Sequence, residues 1–384
     1  MHVTHIVAHP PYREGTGTAC FYNAQALRAL GCETTVYAPA WHLTDGDRQL
    51  NYYRFAPCWL KVEKAVLTPG LLTAGKTDIF HLHYPFIFGA ELVLARAAAT
   101  RTPLVVTYHN DLIGSGIRRP AFFGYNRLNA PLILRSAAKI AVVSHDHAAS
   151  THFGSTIFRE RDGDVVEIGN GVDTARFHPE VDGMAVREQY QIPRDATVLL
   201  FVSNLDRAHV RKGLLLVLEA LATLSDNSLR LLVAGDGELR ETYADCARSL
   251  GIGGQVIFAG RIPHDRLPAY YAACDIVVMP SRPPESFGLA IAEGMATGKP
   301  VLAGNIPGVR TLVKDGETGF LVDPSDCADL VGRLALLVRD EALRLAMGRR
   351  SWQRIVEHYT WRKVGERLLA LYDSLLQKQA ALVA

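Results

Sequence analysis

Short runs of apolar and β-branched residues alternate with longer amphipathic segments through the first half of the chain. The runs that have the composition of buried strands are residues 3–8, 34–37, 79–82, 104–108, 140–143 and 165–168. Residues 19–30 and 89–99 lie between such runs and space their apolar positions as amphipathic helices do. This alternation of strand and helix predicts a parallel sheet that is covered by helices on both faces.

The same alternation starts again in the second half of the chain. Its strand-like runs are residues 198–202, 229–234, 256–259, 276–279 and 300–303. Two such series predict an α/β fold of two doubly wound, Rossmann-like domains. Turn residues between Asn170-Gly171 and Pro193 mark the seam. We therefore place a first domain at residues 1–178, a linker at 179–195, a second domain at 196–360 and a last helix at 361–384.

Composition limits the class of protein. The chain has 384 residues, which suits two compact domains better than one. Its formal charge is only +2, so a nucleic acid is not expected as a partner. The six cysteines have no zinc-site or redox spacing, and no metal site is predicted. The first residues lead into a strand without a leader pattern, and no apolar run reaches the ~20 residues of a spanning helix. We therefore expect a cytoplasmic protein.

Doubly wound sheets bind ligands beyond the carboxyl ends of their strands, so the turns that follow the strands are the first candidates for chemistry. Gly15 and Gly17 follow the first strand and would let backbone amides approach an anion. The dinucleotide-binding fingerprint would place a third glycine where Cys20 stands, which disfavours a NAD-dependent dehydrogenase. His109 follows the strand at 104–108 and could donate a hydrogen bond to a ligand hydroxyl or to a developing charge.

A basic cluster follows the first strand of the second domain. Arg207, Arg211 and Lys212 stand there and could neutralise phosphates. A cluster of charged residues more often belongs to a solvated loop without a ligand, and that is the other interpretation here.

A proline-rich loop after residues 276–279 carries two carboxylates and a predicted helix start. We expect the helix to begin near Ser286, with that side chain as its N-cap. The amides of Phe287, Gly288 and Leu289 would then face a diphosphate at the positive end of the helix dipole. The carboxylates of Glu285 and Glu293 could accept hydrogen bonds from hydroxyls of the same ligand.

At these residues the chain resembles the retaining glycosyltransferases of family 4, which have the GT-B fold. Glu285 and Glu293 are separated by seven residues and enclose Phe287-Gly288-Leu289, which is the signature of that family. Other family motifs follow in the usual order: Gly235-Asp-Gly-Glu238, Phe258-Ala-Gly-Arg261, Gly298-Lys-Pro-Val301 and Gly316-Glu-Thr-Gly-Phe320. The resemblance covers nearly the whole chain. It implies two domains that face a cleft, the first binding the acceptor and the second the nucleotide sugar.

The resemblance also implies a role for each matching residue. Lys212 would bind the diphosphate, Glu285 would hold hydroxyls of the sugar and Glu293 would bind the ribose. His109 would contact the transferred sugar. The other contacts to the donor would come from Gly15, Gly17, Arg261, Phe287, Gly288 and Leu289. Asn204 stands where the family usually has an arginine, and Arg207 is the candidate for the missing guanidinium.

The implied enzyme is a hexosyltransferase that moves a sugar from a nucleotide diphosphate-sugar to an acceptor hydroxyl with retention of configuration. Lys212, a nearby arginine and a helix N-terminus would stabilise the leaving diphosphate, so no metal or other cofactor is required in principle. The expected acceptors are a lipid-linked glycan, a polysaccharide precursor or a secondary metabolite. Two alternatives stay open: a synthase or phosphorylase of the same fold that uses a small soluble sugar, and a non-catalytic nucleotide-sugar-binding protein.

One stretch of the first domain bears on the acceptor. Residues 112–145 contain no aspartate or glutamate, and their basic residues are Arg118, Arg119, Arg127, Arg135 and Lys139. Basic residues interleaved with aromatic ones suit a peripheral contact with the anionic inner face of the cell membrane. An ordinary surface helix with an apolar inner face is the other interpretation. Pro131 should interrupt a continuous helix here, which counts against membrane binding.

Overall fold

The computed structural model describes residues 1–11, 15–41, 43–62, 65–112 and 119–383. The chain divides into two compact units: unit 1 is Met1–Gly171 with Trp361–Ala384, and unit 2 is Val172–Thr360. Each unit is built on one parallel sheet that packs against helices. The predicted fold class, two doubly wound α/β units, is confirmed.

The sheet of unit 1 reverses its strand order at its centre. The strands of unit 1 are β1 (His2–Ile6), β2 (Glu33–Pro39), β3 (Tyr53–Ala56), β4 (Leu60–Val62), β5 (Ala65–Leu67), β6 (Ile79–Tyr84), β7 (Leu104–Tyr108), β8 (Lys139–Val142) and β9 (Val165–Glu167). Seven of them form the order β3-β2-β1-β6-β7-β8-β9, while β4 and β5 form an antiparallel hairpin. The sequence analysis missed β3, a short edge strand in which the exposed Arg54 interrupts the run of apolar residues.

Unit 2 has the same kind of sheet. Its strands are β10 (Thr197–Val202), β11 (Leu229–Ala234), β12 (Val256–Gly260), β13 (Ile276–Met279), β14 (Val301–Gly304) and β15 (Gly319–Val322). All pairs are parallel, in the order β12-β11-β10-β13-β14-β15. The strand order reverses between β10 and β13, the position at which doubly wound sheets bind ligands. The pattern analysis missed β15, in which only three apolar residues follow a glycine.

Helices connect the strands and cover the sheets. In chain order they are α1 (Gly15–Ala29), α2 (Asp45–Arg48), α3 (Gly89–Thr100), α4 (Arg119–Ser136), α5 (His145–Ser150), α6 (Met184–Gln189), α7 (Leu214–Leu224), α8 (Arg240–Ser249), α9 (Leu267–Ala273), α10 (Leu289–Ala296), α11 (Val309–Leu312), α12 (Cys327–Arg339), α13 (Glu341–His358) and α14 (Trp361–Val383). Shorter helical turns are Pro69–Thr73, Gly154–Phe158, Asp162–Asp164 and Arg207–Lys212. Within the described residues, no helix combines the length and the apolar character needed to cross a membrane.

The structure divides the chain at a different point from the one that turn residues suggested. Unit 2 begins at Val172, and the segment 179–195, expected to be a linker, belongs to it. Arg187 of α6 donates a hydrogen bond to the carbonyl oxygen of Ala273 at 2.8 Å and pairs with Asp275 at 2.8 Å. Turn residues mark breaks in secondary structure, and they do not show whether the segment between them packs on a domain.

The last helix, α14, belongs to unit 1 although unit 2 precedes it in the chain. Val364, Leu368 and Tyr372 are fully buried in a cluster with Val3 and Ile79 of the sheet. This apolar stripe is the one that repeats in the sequence from residue 361 onwards. It fixes α14 across the face of β1 and β6.

The helix α4 runs without a break through Pro131, so the predicted interruption is wrong. Proline removes the hydrogen bond to the carbonyl four residues earlier, which belongs to Arg127. Arg127 is exposed, and water can satisfy its carbonyl oxygen. Burial of Ile133 and Leu134 on the other side of the helix holds the segment in place.

Candidate functional site

The loops that follow β10 and β13 are held against each other, because the two strands are neighbours in the sheet. The amide of Arg282 donates to the carbonyl oxygen of Arg211 at 2.7 Å, and Nε of Arg211 donates to the carbonyl oxygen of Pro284 at 3.1 Å. Gly213 has a φ of +88°, and a Cβ there would lie 2.5 Å from the carbonyl oxygen of Pro280. Glycine therefore permits the close approach of the two loops.

This approach brings Lys212 and Glu285 together across 73 positions of sequence. Nζ of Lys212 donates a hydrogen bond to Oε2 of Glu285. The two side chains are only 18% and 15% exposed. A charge that is this far removed from water depends on its partner, since loss of either one leaves the other uncompensated. The structure thus joins two of the residues that the sequence nominated, at the carboxyl edge of the sheet.

The helix α10 begins three residues later than expected, at Leu289, and no side chain caps it, so the predicted Ser286 cap is wrong. The chain enters the helix through Gly288, whose φ is +81°. The side chain of Phe287 is buried and anchors the loop beside it. The backbone of Glu285 and Ser286 passes directly over Gly308, where a Cβ would lie 2.5 Å from the carbonyl oxygen of Ser286. Packing on Gly308, rather than a side-chain cap, positions this loop.

Glu293 lies on α10 in an internal hydrogen-bond network. The residue is 4% exposed, and its two carboxylate oxygens bond to Nε2 of His264 and the hydroxyl of Tyr271, both at 3.0 Å. Arg176 lies 3.2 Å from Nδ1 of His264. Because a guanidinium can only donate, Nδ1 of His264 accepts, and its Nε2–H donates to Glu293. Burial, followed by the nearby Glu293 carboxylate, raises the pKa of Tyr271.

The sequence analysis missed His264, although a usable signal exists. The residue follows β12 closely, at the same carboxyl edge of the sheet as Lys212 and Glu285. Its side chain is half-buried, so it joins the buried Glu293 to the surface. The rule that nominated the other turns would have nominated this one as well.

A cavity of about 290 Å³ lies beside Lys212. It is lined by Val202, Ser203, Asn204, His209, Lys212, Ala234, Gly235, Arg261, Ile262 and Leu267. Arg261, a predicted donor contact, therefore shares one cavity with Lys212. Asn204, which stands where the family usually has an arginine, lines the same cavity.

Arg207 lies elsewhere. Its side chain is 86% exposed and pairs with Glu238 at 3.4 Å. It is not among the described residues that line the cavity beside Lys212. The structure therefore gives no support to Arg207 as the missing guanidinium. Arg211, by contrast, bonds to the loop of Glu285 and so lies next to the pair of Lys212 and Glu285.

In unit 1 the two predicted glycines differ. A Cβ on Gly17 would lie 2.4 Å from the carbonyl oxygen of Pro10, so the turn after β1 requires glycine there. Gly15 begins α1, and among the described residues outside its own helix no atom lies within 4 Å of the place where its Cβ would be. Packing alone therefore explains the glycine at position 17, and it gives no reason for the glycine at position 15.

His109 follows β7 and is joined to a row of buried histidines. Its Nε2 lies 3.0 Å from Nδ1 of His83, and Nε2 of His83 lies 3.2 Å from Nδ1 of His5. Burial lowers the pKa of His109 to about 4, with a smaller contribution from His147. Burial also lowers the pKa of His5 to about 3. The sequence analysis missed His81 and His83, although their alternation along β6 places both on one face.

Three of these histidines are close enough to raise the question of a metal ion. Ring nitrogens of His5, His81 and His83 lie within 4.8 Å of one another. However, one nitrogen of His81 bonds to the hydroxyl of Tyr372, and the other lies 2.5 Å from Oγ1 of Thr107. A bound ion would have to replace such hydrogen bonds. Hydrogen bonding within the protein explains this arrangement better than metal binding does.

Comparison with known proteins gives consistent results for both units. The family model "Glycosyltransferase Family 4" matches residues 13–176, and "Glycosyl transferases group 1" matches residues 184–354. D-inositol 3-phosphate glycosyltransferase 1 of Catenulispora acidiphila is 31% identical over 332 residues, covering 81% of this chain and 75% of that one. Phosphatidyl-myo-inositol mannosyltransferase of Mycolicibacterium smegmatis is 28% identical over 369 residues, covering 92% and 88%.

A solved structure shows the same fold. Alr3699/HepE of Anabaena, in complex with UDP and glucose, matches with a TM-score of 0.75 and 20% identity. The match covers 97% of this chain and all of the other. At this identity the likeness concerns the fold alone.

The packing of the Glu285 loop on Gly308 gives a testable prediction. Gly308→Ala and Gly316→Ala both place alanine at a positive φ, and the ψ of −53° at Gly308 lies outside the left-handed α region, so backbone strain adds to any clash there. Only Gly308→Ala also clashes with the loop, since the Cβ position of Gly316 is open. We expect Gly308→Ala to lose about 1–3 kcal/mol more of its free energy of unfolding, measured by urea titration. Equal losses in the two variants would show that the loop does not depend on this contact.

Proposed function

Because this chain belongs to the family 4 glycosyltransferases of the GT-B fold, we propose that it is a retaining hexosyltransferase whose donor is a nucleotide diphosphate-sugar. The observation that carries the proposal is the largely buried pair of Lys212 and Glu285 at the point where the strand order of the sheet reverses. An ammonium and a carboxylate here match the two parts of such a donor. The ammonium suits the diphosphate, and the carboxylate suits hydroxyls of the sugar.

The surroundings of the pair support a nucleotide sugar as the ligand. The amides of Phe287, Gly288 and Leu289 lead into α10, whose N-cap Gly288 makes no side-chain cap hydrogen bond, and the helix dipole favours an anion there. The cavity that contains Lys212 and Arg261 has room for part of a nucleotide. Alr3699/HepE, whose structure holds UDP and glucose, has the same fold.

The proposed reaction breaks the bond between the anomeric carbon of the sugar and the diphosphate oxygen. The acceptor hydroxyl oxygen bonds to that carbon on the same face, and its proton passes to the departing diphosphate. The products are a glycoside and a nucleoside diphosphate. Lys212 stabilises the charge that develops on the diphosphate, and His109 contacts the sugar. In this proposal those groups supply the stabilisation, and no metal ion is needed.

The acceptor is proposed to be lipid-linked. One relative is named a phosphatidyl-myo-inositol mannosyltransferase. On α4 of unit 1, Phe123, Leu128 and Leu132 are apolar residues that are more than half exposed. A cavity of about 400 Å³ has Phe123, Arg127 and Phe153 among its lining residues. An apolar surface that also carries a guanidinium suits an anionic lipid.

Tertiary structure reduces the basic character of this region. Lys139 lies in β8 and pairs with Asp164 at 3.0 Å, and Arg135 pairs with Glu160 at 3.0 Å. Arg118 and the side chain of Arg119 lie outside the described residues. Arg127 is therefore the described basic side chain that best serves a contact between α4 and an anionic surface.

The catalytic proposal predicts different kinetic effects for two residues of unit 2. A thermal-shift screen of UDP-, GDP-, ADP- and TDP-sugars first identifies the donor, because a ligand stabilises the folded state that binds it. Lys212→Ala should then lower kcat/KM by about 100-fold, through loss of a group that stabilises the leaving diphosphate. Glu293→Gln, which keeps the volume of the side chain, should mainly raise the KM for the donor.

Release of nucleoside diphosphate and of labelled glycoside measures both effects. Unchanged turnover in Lys212→Ala would remove Lys212 from the mechanism, and a pure kcat loss in Glu293→Gln would contradict the predicted contact of Glu293 with the ribose. Retention is read from the anomeric configuration of the product by NMR.

The membrane proposal predicts salt-sensitive binding to vesicles. The protein should co-sediment with phosphatidylglycerol vesicles at low salt and be released at about 1 M salt, where the Debye length is about 3 Å. Arg127→Glu should weaken this binding. Arg349→Glu, the same change on an exposed residue of α13, is the matched control and should leave it intact. Absence of binding to anionic vesicles at low salt would refute the membrane contact.

A further inference from the structure

The row His5–His83–His109 crosses three neighbouring strands of unit 1, with His5 in β1, His83 in β6 and His109 directly after β7. All three side chains are buried. Each bond in the row joins Nδ1 of one ring to Nε2 of the next. We call this row the histidine relay.

Burial determines how many protons each ring of the relay carries. Desolvation lowers the pKa of His5, His83 and His109 far below neutrality, so each ring is neutral at pH 7. A neutral imidazole carries one N–H and one lone pair. Each bond of the relay therefore needs an N–H on one side and a lone pair on the other, and the whole row has only two arrangements.

In the first arrangement every Nδ1 carries the proton. Nδ1–H of His5 donates to His83, Nδ1–H of His83 donates to His109, and His109 keeps its own proton on Nδ1. The unused nitrogen at the inner end, Nε2 of His5, then holds a lone pair. In the second arrangement every Nε2 carries the proton, and the inner end holds an unused N–H.

The inner end of the relay decides between the two. Nε2 of His5 is buried and has no hydrogen-bond partner among the described residues. In protein interiors, donors without an acceptor are rarer than acceptors that lack a donor. Burial of a lone pair is therefore preferred to burial of an N–H, and the first arrangement follows.

We propose that His5 and His83 are positioning residues that fix the tautomer of His109, so that His109 presents Nδ1–H as a hydrogen-bond donor to its ligand. The ligand chemistry that fits is an oxygen acceptor, either a hydroxyl of the sugar or an oxygen that gains negative charge in the reaction. This inference rests on the proposed function for the identity of the ligand. The tautomer itself does not depend on that function.

The direct test is NMR on the complete protein labelled with ¹⁵N-histidine. Long-range ¹H–¹⁵N correlation separates the two neutral tautomers and the charged ring, and His5→Gln, His83→Asn and His109→Gln variants assign the signals. We expect neutral rings at pH 7, with the proton on Nδ1 of His109 and of His83. A proton on Nε2 of His109, or a charged ring in the relay, would overturn the inference. The tautomers are read in the unsubstituted protein, and this readout requires no turnover.

Kinetics test the consequence for the reaction. His83→Phe removes the donor that holds the ring of His109, so we expect kcat to fall about 10-fold with little change in the donor KM. His83→Asn retains an N–H near the position of Nδ1 and should restore part of kcat. His81→Phe is the matched control. His81 lies on the same strand, is equally buried and bonds to Tyr372 and Thr107 rather than to His109.

The outcomes separate the two levels of inference. A loss of kcat in His81→Phe equal to that in His83→Phe would reduce the relay to a structural role. If NMR finds Nδ1–H on His109 while His109→Gln and His83→Phe keep full kcat, the tautomer inference stands and the proposed sugar contact of His109 falls.

Discussion

The reversal of strand order between β10 and β13 is the constraint on which the rest of unit 2 depends. Crossovers leave these two strands toward opposite sides, so the loops at their carboxyl ends are not covered by a helix that connects them. The loops instead form hydrogen bonds to each other, which join Arg211 to Arg282 and to Pro284. The ion pair of Lys212 and Glu285 forms only because this edge of the sheet places it there. Without that geometry two charges this buried would be too costly to keep.

Unit 1 is built on the same kind of reversal and uses it differently. Its central strands carry histidines on the face that α14 covers, and every one of these buried rings must find hydrogen-bond partners. The partners come from neighbouring strands, from Thr107 and from Tyr372 of the last helix. The helix α14 therefore supplies a hydrogen-bond partner to this layer of histidines in addition to its apolar contacts with the sheet.

Both units fix the direction of a histidine by the same physical rule. In unit 2, Arg176 can only donate, so His264 must donate to Glu293 from its other nitrogen. In unit 1, Nε2 of His5 is buried without a hydrogen-bond partner among the described residues, which has the corresponding effect on His83 and His109. In each case a group far from the ligand decides which proton is presented near it. In the relay of unit 1, burial makes the choice firm, because water does not reach His5 to supply the missing partner.

Local periodicity was enough to locate most strands and helices, the fold class and the turns that bear Lys212 and Glu285, because side chains alternate along a strand and repeat along a helix whatever their surroundings. Other features depend on residues far apart in the chain. They include the place of residues 179–195 in unit 2, the start of α10 over Gly308, the contact of Arg211 with the loop of Glu285, and the neutralisation of Arg135 and Lys139 by Glu160 and Asp164. The histidine relay belongs with these, since its bonds join three strands. The sequence by itself determined which groups stand at the carboxyl edges of the sheets. Only the tertiary structure decided which of them meet, because a hydrogen bond or a buried ion pair is set by distances that no local pattern encodes.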